Sequence, residues 1–324
     1  MKDTLSPFVT PVAVEAWDTW FRWREKGRLR DITVDATWER ISNTLVQGLP
    51  PDERPEAEYE FLRAFRAWEV LIDERVLASA GTDAPYWPQD WLSVAVNVAS
   101  FVRGPAARTY IDLAAMQRAA ALAVKLADLA AWQAGATTER ILHHRIGIIG
   151  FGDALVRLNE DYDSVAALRA MAQVGNALRR GTVVGSIAQA KRYGCLVRPG
   201  EGRSLDWLRQ LPPSWRDEGE GAGFRHAMLT AISPQPRLAL FANCVADGIE
   251  PVQVEHGQAG AAGMESHDYA GSALSRRSTQ LRPSRSLPHA LVLARQKMVA
   301  EILPWLDQPI ASARDALGIT SVHA

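Results

Sequence analysis

Cysteine is nearly missing from this chain: Cys195 and Cys244 are the two in 324 residues. So few exclude a disulfide framework and fit a reducing compartment. Neither lies near an obvious His or Cys partner in the sequence, so no zinc spacing is present and no metal ligand is expected. Cys244, in FANCVADG, reads as a small buried hydrophobe, while Cys195, beside Gly194 at a helix end, reads as more exposed. An excess of one charge is missing as well, because Lys plus Arg number 36 and Asp plus Glu 37. Without a broad positive field, no nucleic acid or anionic membrane is expected as a partner. Long apolar runs are the third absence. The longest, Ala119 to Ala131, is broken by Lys125 and Asp128 and falls short of the ~20 residues that span a bilayer. The opening MKDTLSPFVTPV lacks the apolar run and cleavage site of an export signal, so a cytoplasmic location is expected.

What is present is a composition 47% apolar, enough for a large core. Ala36, Trp38, Ile41 and Leu45 fall at three- and four-residue steps after Thr33 and Asp35, which predicts a capped amphipathic helix. QGLPPDERP, 47 to 55, reads as a linker, and helical spacing returns from Glu56 to Ala80 before the break at SAGTDAPYWP. Leu92 to Val102 is β-branched and predicts a strand buried on both faces. Asp112 is the expected N-cap of an Ala-rich helix reaching Gln133. The spacing then predicts a strand over Ile146 to Ile149, helices over 163–180 and 182–193, a loop over 198–223, strands over 227–232 and 238–245, and a last helix from Ala290 to Trp305. Residues 257–290, rich in Gly, Ala, Ser, Arg and His, are expected to be loosely ordered. Strands alternating with helices argue an α/β fold.

The glycines of HHRIGIIGFGDAL, 143 to 155, imitate a dinucleotide fingerprint, which requires three small residues after a strand. Read from Gly150, the third position is Leu155; read from Gly147, the first glycine falls inside the strand. Asp153 would also set a negative charge beside any phosphate. A strand turning tightly into a helix is the better reading.

The longer run RIGIIGFGDALVRLNEDYDS, 145 to 164, resembles a segment of the large catalytic subunit of ribonucleotide reductase, especially the adenosylcobalamin-dependent class. Four other stretches resemble that family in the same order: VAVEAWDTWFRWREKGRLRDITVDATWERISNTL, 12 to 45; FRAWEVLIDERVLASAGT, 65 to 82; VNVASFVRGP, 96 to 105, with the helix after it; and RHAMLTAISPQPRLALFANCVADGIEPV, 225 to 252. LARQKMVAEILPWLDQPIASARD, from 293, is a looser echo.

The resemblance implies a partial reductase-like α/β barrel with a helical N-terminal segment over 1–82, barrel over 83–256, a flexible insert over 257–290, and a closing helix and tail over 291–324. It also implies what should be found and is not. The family's radical cysteine sits in an N-x-C-x-E loop, but here Thr82 is followed through DAPYWPQD directly by the strand-like run. One redox cysteine would fall in the same gap, and the position of the other is Trp91. The family's phosphate loop, P-T-G-T-I-S, becomes Ser233-Pro234-Gln235-Pro236-Arg237-Leu238, whose second proline removes an N–H. Ser233, Gln235 and Arg237 are the substrate-binding candidates, Arg237 as a phosphate partner. Asp247 and Glu250 could do acid or base work. No Asp-x-His-x-x-Gly run for cobalamin is present, so the cofactor stays unassigned. The resulting expectation is a truncated, catalytically degenerate relative with no catalytic residue of its own. It would serve as a structural or regulatory partner, or as part of a split reductase, with a nucleotide as a possible ligand. Half a barrel leaves strand edges bare, which implies a homo-oligomer or a complex with a reductase subunit.

Overall fold

Threonine side chains open the first two helices. Thr10 Oγ1 accepts from the Ala13 N–H at the start of α1 (Pro11–Trp20), and Thr33 Oγ1 from the Ala36 N–H at the start of α2 (Val34–Val46), where the spacing places it. A two-stranded ribbon, β1 (Arg24–Glu25) and β2 (Arg28–Leu29), lies between them. In this computed structural model the described residues are 7–87, 91–105, 108–139, 143–197, 211–252, 288–308 and 310.

The helix expected over 56–80 is three elements. α3 (Arg54–Arg66) stops where Trp68 takes a left-handed φ of 56°; β3 (Val70–Leu71) and α4 (Glu74–Ser79) follow. The reason is tertiary. At the left-handed residue the Trp68 ring packs edge-on to Trp38 and Phe241, at centroid distances of 5.6 and 5.1 Å, and the chain turns into the sheet. The strand expected over 92–102 is β4 (Ser93–Asn97), buried as expected, but it ends in a 3₁₀ turn, Val98–Phe101. After the short pair β5 (Val102–Arg103) and β6 (Tyr110–Ile111), Asp112 Oδ1 accepts from the Ala115 N–H and caps α5 (Leu113–Gln133).

β7 (His143–Ile149) runs into α6 (Phe151–Leu158). The two helices expected over 163–193 are one, α7 (Val165–Tyr193) of 29 residues. Gly181 does not break it. A Cβ there would stand 2.3 Å from the Gln117 carbonyl oxygen of α5, so this glycine serves the close approach of two helices and not a turn. α8 (Pro213–Glu220) falls inside the expected loop over 198–223, whose residues 198–210 lie outside the described residues. β8 (Met228–Thr230) follows. The strand expected over 238–245 is instead α9 (Pro236–Phe241) and a turn with Asn243 and Cys244 both at positive φ. α10 (Pro288–Ile302) and a 3₁₀ turn, Leu303–Trp305, end the described chain, while most of the 257–290 stretch lies outside it.

The fold is mixed α/β. β3, β4, β7 and β8 form, in that order, an open four-stranded sheet in which β3 is antiparallel to β4 and the other three are parallel. α5 packs on the sheet and α7 on α5. One continuous core reaches from Ala13 to Ile302, with Phe241 joining the N-terminal helices to the region beyond β8 through Phe8, Phe21, Trp38 and Trp68.

Neither sheet edge is bare. β3 is fully buried. Beside β8 the chain returns: Asp307 N–H and Gln308 N–H both donate to the Thr230 carbonyl, and Asp307 Oδ2 accepts from the N–H groups of Leu229 and Thr230 at 2.7 and 2.9 Å. The edge-strand reason for expecting a partner therefore does not hold among the described residues.

Candidate functional site

The parallel strands β4, β7 and β8 point their C-terminal ends the same way, and ligands of α/β sheets bind beyond such ends. A cleft of about 200 Å³ lies there beyond β8, lined by Ser233, Pro234, Asp247, Glu250 and Arg295 among others. Gly150 ends β7 at a φ of 72°, and its N–H donates to the Ala246 carbonyl at 2.7 Å. Asp153 Oδ2, one turn on, accepts the Ala246 N–H at 2.6 Å. The Tyr162 hydroxyl donates to the Ile249 carbonyl at 2.8 Å, and burial pushes this phenol well above its usual range. The 246–250 turn is thus fastened over the start of α6. A Cβ on Gly152 would lie 2.6 Å from the Glu250 carbonyl oxygen, so protein backbone occupies the place a dinucleotide pyrophosphate would take.

The three substrate-binding candidates separate. Ser233 lines the cleft. Gln235 does not line it; its backbone N–H donates to both carboxylate oxygens of the lining residue Asp247, at 3.0 and 2.9 Å, while its own Oε1 is buried without a partner among the described residues. Arg237 is committed elsewhere: it pairs with Glu74 at 3.7 Å, lies 5.5 Å from the centroid of the Trp20 ring, and is 56% exposed. Asp247 dominates the electrostatics. Burial, aided by the nearby charge of Glu250, pushes its carboxyl up to about 6. Glu250 itself pairs with Arg295 at 2.8 Å.

Both cysteines stand away from the cleft. Cys244 is buried at positive φ, with Sγ 3.3 Å from Thr10 Oγ1, and burial pushes its thiol up. Cys195 follows α7, and its thiol donates to the Val197 carbonyl at 3.2 Å and the Phe224 carbonyl at 3.6 Å, on the side from which the chain enters β8. Trp91, where the resemblance places a redox cysteine, lies between the guanidinium groups of Arg75 and Arg145, at 4.6 and 4.4 Å from its ring centroid.

Residues 94–256 match the family model of the ribonucleotide reductase barrel domain. The chain belongs to that family. No curated protein matches it. Within this reductase-family chain the matched half runs from β4 through the 246–250 turn and so contains the parallel strands and most of the cleft, whose lining is completed by Arg295 and Ile310. Among the described residues no helix is long and apolar enough to cross a membrane.

Sequence reasoning missed one constellation. Asp128, His144 and His226 come from α5, the start of β7 and the approach to β8, and their side chains meet in the interior at the end of the sheet opposite the cleft. The one signal was Asp128 itself, a charge among the buried apolar residues of α5.

Proposed function

We propose that this chain is a non-catalytic member of the reductase family, kin to its adenosylcobalamin-dependent class. In this reading the open sheet is part of the family's barrel, and the chain acts as a structural or regulatory partner of another reductase chain. The observation that carries the reading is the Asp247 carboxylate on the Gln235 N–H. Where the family offers backbone N–H groups to a substrate phosphate, this chain has filled the donor with its own anion. Pro236 removes the next N–H, and Arg237 faces Glu74.

The residues present do not fit adenosylcobalamin chemistry. That cofactor would need a thiol beside the substrate. Cys244 is buried against Thr10, and Cys195 lies beside Phe224, where the chain enters β8, and does not line the cleft. No step is derived through it.

Nucleoside di- and triphosphate reduction, assayed with adenosylcobalamin and a dithiol, is expected to show no turnover by the chain alone. Calorimetric titration at pH 7 should show no binding of these nucleotides at micromolar concentrations. Turnover by the isolated chain would overturn the proposal.

Asp247 gives a second expected outcome. Its folded-state pKa lies above the unfolded value of 3.8, so the native state holds the extra proton. The stability associated with that proton is full below about pH 4 and is lost as pH rises through about 6. Asp247→Asn keeps an acceptor for Gln235 and removes the charge. Each tenfold difference in proton affinity between the folded and unfolded chain is worth about 1.4 kcal/mol, so the stability of the variant relative to the parent should grow by about 2 kcal/mol between pH 4 and pH 7. Urea midpoints across that range measure it; a difference that does not vary with pH would refute the assignment.

A further inference from the structure

The end of the sheet opposite the cleft holds groups that neither the family reading nor the cleft uses. Asp128, His144 and His226 have side chains with no exposed surface. One carboxylate oxygen, Asp128 Oδ1, lies 3.1 Å from His144 Nε2 and 2.9 Å from His226 Nε2, and the three candidate ligand atoms all fall within 4.8 Å of one another. The other carboxylate oxygen, Oδ2, is buried with no partner among the described residues. An unmatched buried anionic oxygen is costly, and its neighbours here are imidazoles, not a Lys or Arg in direct contact.

We propose that Asp128, His144 and His226 form a buried site for a divalent transition-metal ion of the zinc class. Two imidazole nitrogens and one carboxylate oxygen are a donor set suited to zinc and too nitrogen-rich for calcium or magnesium. Bonds of about 2.0–2.2 Å to a tetrahedral ion set its ligand atoms about 3.3–3.5 Å apart. The observed oxygen–nitrogen spacings of 2.9 and 3.1 Å need a small outward adjustment, and the two imidazole nitrogens, within 4.8 Å of each other, close toward the tetrahedral spacing.

An ion would take the Nε2 lone pairs, with the ring protons on Nδ1, which in His144 is buried with no partner among the described residues. His226 Nδ1 lies 3.1 Å from Ser186 Oγ; the two lone pairs of that oxygen take two backbone N–H groups, so its hydroxyl donates to Nδ1 in the metal-free chain, and it becomes the acceptor of the Nδ1–H of an ion-bound ring when one of those N–H groups yields. Such a second contact orients the ring and is worth about 10- to 100-fold in metal affinity. Ser186 Oγ also accepts the N–H groups of Arg225 and His226, at 3.0 and 3.2 Å, which fixes the backbone carrying the ligand. The ion would tie α5, β7 and the approach to β8 together from inside the matched domain.

The test uses the full chain and the metal alone. Purified protein, dialysed against a weak chelator, is expected to retain about one equivalent of zinc per chain. Cobalt substitution should give visible d–d absorption from a four-coordinate nitrogen and oxygen site. Asp128→Asn, which keeps the volume and a hydrogen-bond acceptor, should abolish uptake while far-ultraviolet circular dichroism stays unchanged. Ser186→Ala leaves all three ligands and should weaken cobalt binding by about 10-fold or more; it decides the matter if the first variant fails to fold. A folded parent chain that takes up no cobalt, or uptake that neither substitution changes, overturns the proposal. In the first case the three side chains are a metal-free hydrogen-bonded network, and in the second the metal is adventitious.

Discussion

Replacing Asp307 by alanine is expected to remove about 3–5 kcal/mol of folding stability, because it breaks a buried ion pair and uncaps a strand. The Asp307 side chain is 3% exposed. One of its oxygens meets Arg179, itself buried in α7, and the other accepts the N–H groups of Leu229 and Thr230. Surface ion pairs contribute little, but here the arginine would lose a buried ion-pair partner, keeping the Thr230 hydroxyl at 2.9 Å, and two backbone donors would lose their acceptor together. Urea denaturation should show the midpoint falling with the slope unchanged. A loss under about 1 kcal/mol, the range of an exposed pair, would mean that water reaches the edge of β8 and that Asp307 does not seal it.

Gly150→Ala should cost about 3 kcal/mol, although it adds a single methyl group. Two penalties combine. The φ of 72° is a left-handed conformation that costs an alanine about 1–2 kcal/mol, and the new Cβ would stand 2.3 Å from Asn97 Oδ1, an overpacked contact worth about 1–3 kcal/mol. Asn97→Ala separates them. It removes the obstructing oxygen, which has no partner among the described residues, so the double variant should regain the steric part and keep the dihedral part. Strictly additive losses would show that Asn97 swings aside freely and that the dihedral is the whole effect.

Much of the architecture was legible from local chemistry. Thr33 and Asp112 are caps because a short side-chain oxygen reaches the N–H three residues on, and that depends on nothing distant. The buried character of β4 and β7 follows from runs of Val, Ala and Ile. The misreadings are the places where a distant partner decides. Trp68 leaves the helix to pack against Trp38 and Phe241, residues remote in sequence, and Gly181 continues its helix because α5 lies against it. Leu238 to Val245 reads as a strand by composition, but Pro236 at the first turn starts a helix and Asn243 and Cys244 end it.

The cleft was legible in part. Ser233 lines it, and Gln235 touches it only through Asp247. That Arg237 turns to Glu74 and Trp20, and that Asp247 takes the Gln235 N–H, depends on parts of the chain that sequence alone does not bring together. The interior trio was illegible for the same reason, since its members are 16 and 98 residues apart and share no motif.

The seal on β8 has a consequence for synthesis on the ribosome. Thr230 leaves the exit tunnel 77 residues ahead of Asp307. At about 5–20 residues per second, the last strand of the sheet waits roughly 4–15 s with its outer N–H and C=O groups uncovered, the period in which a nascent chain is most open to pairing with the wrong strand.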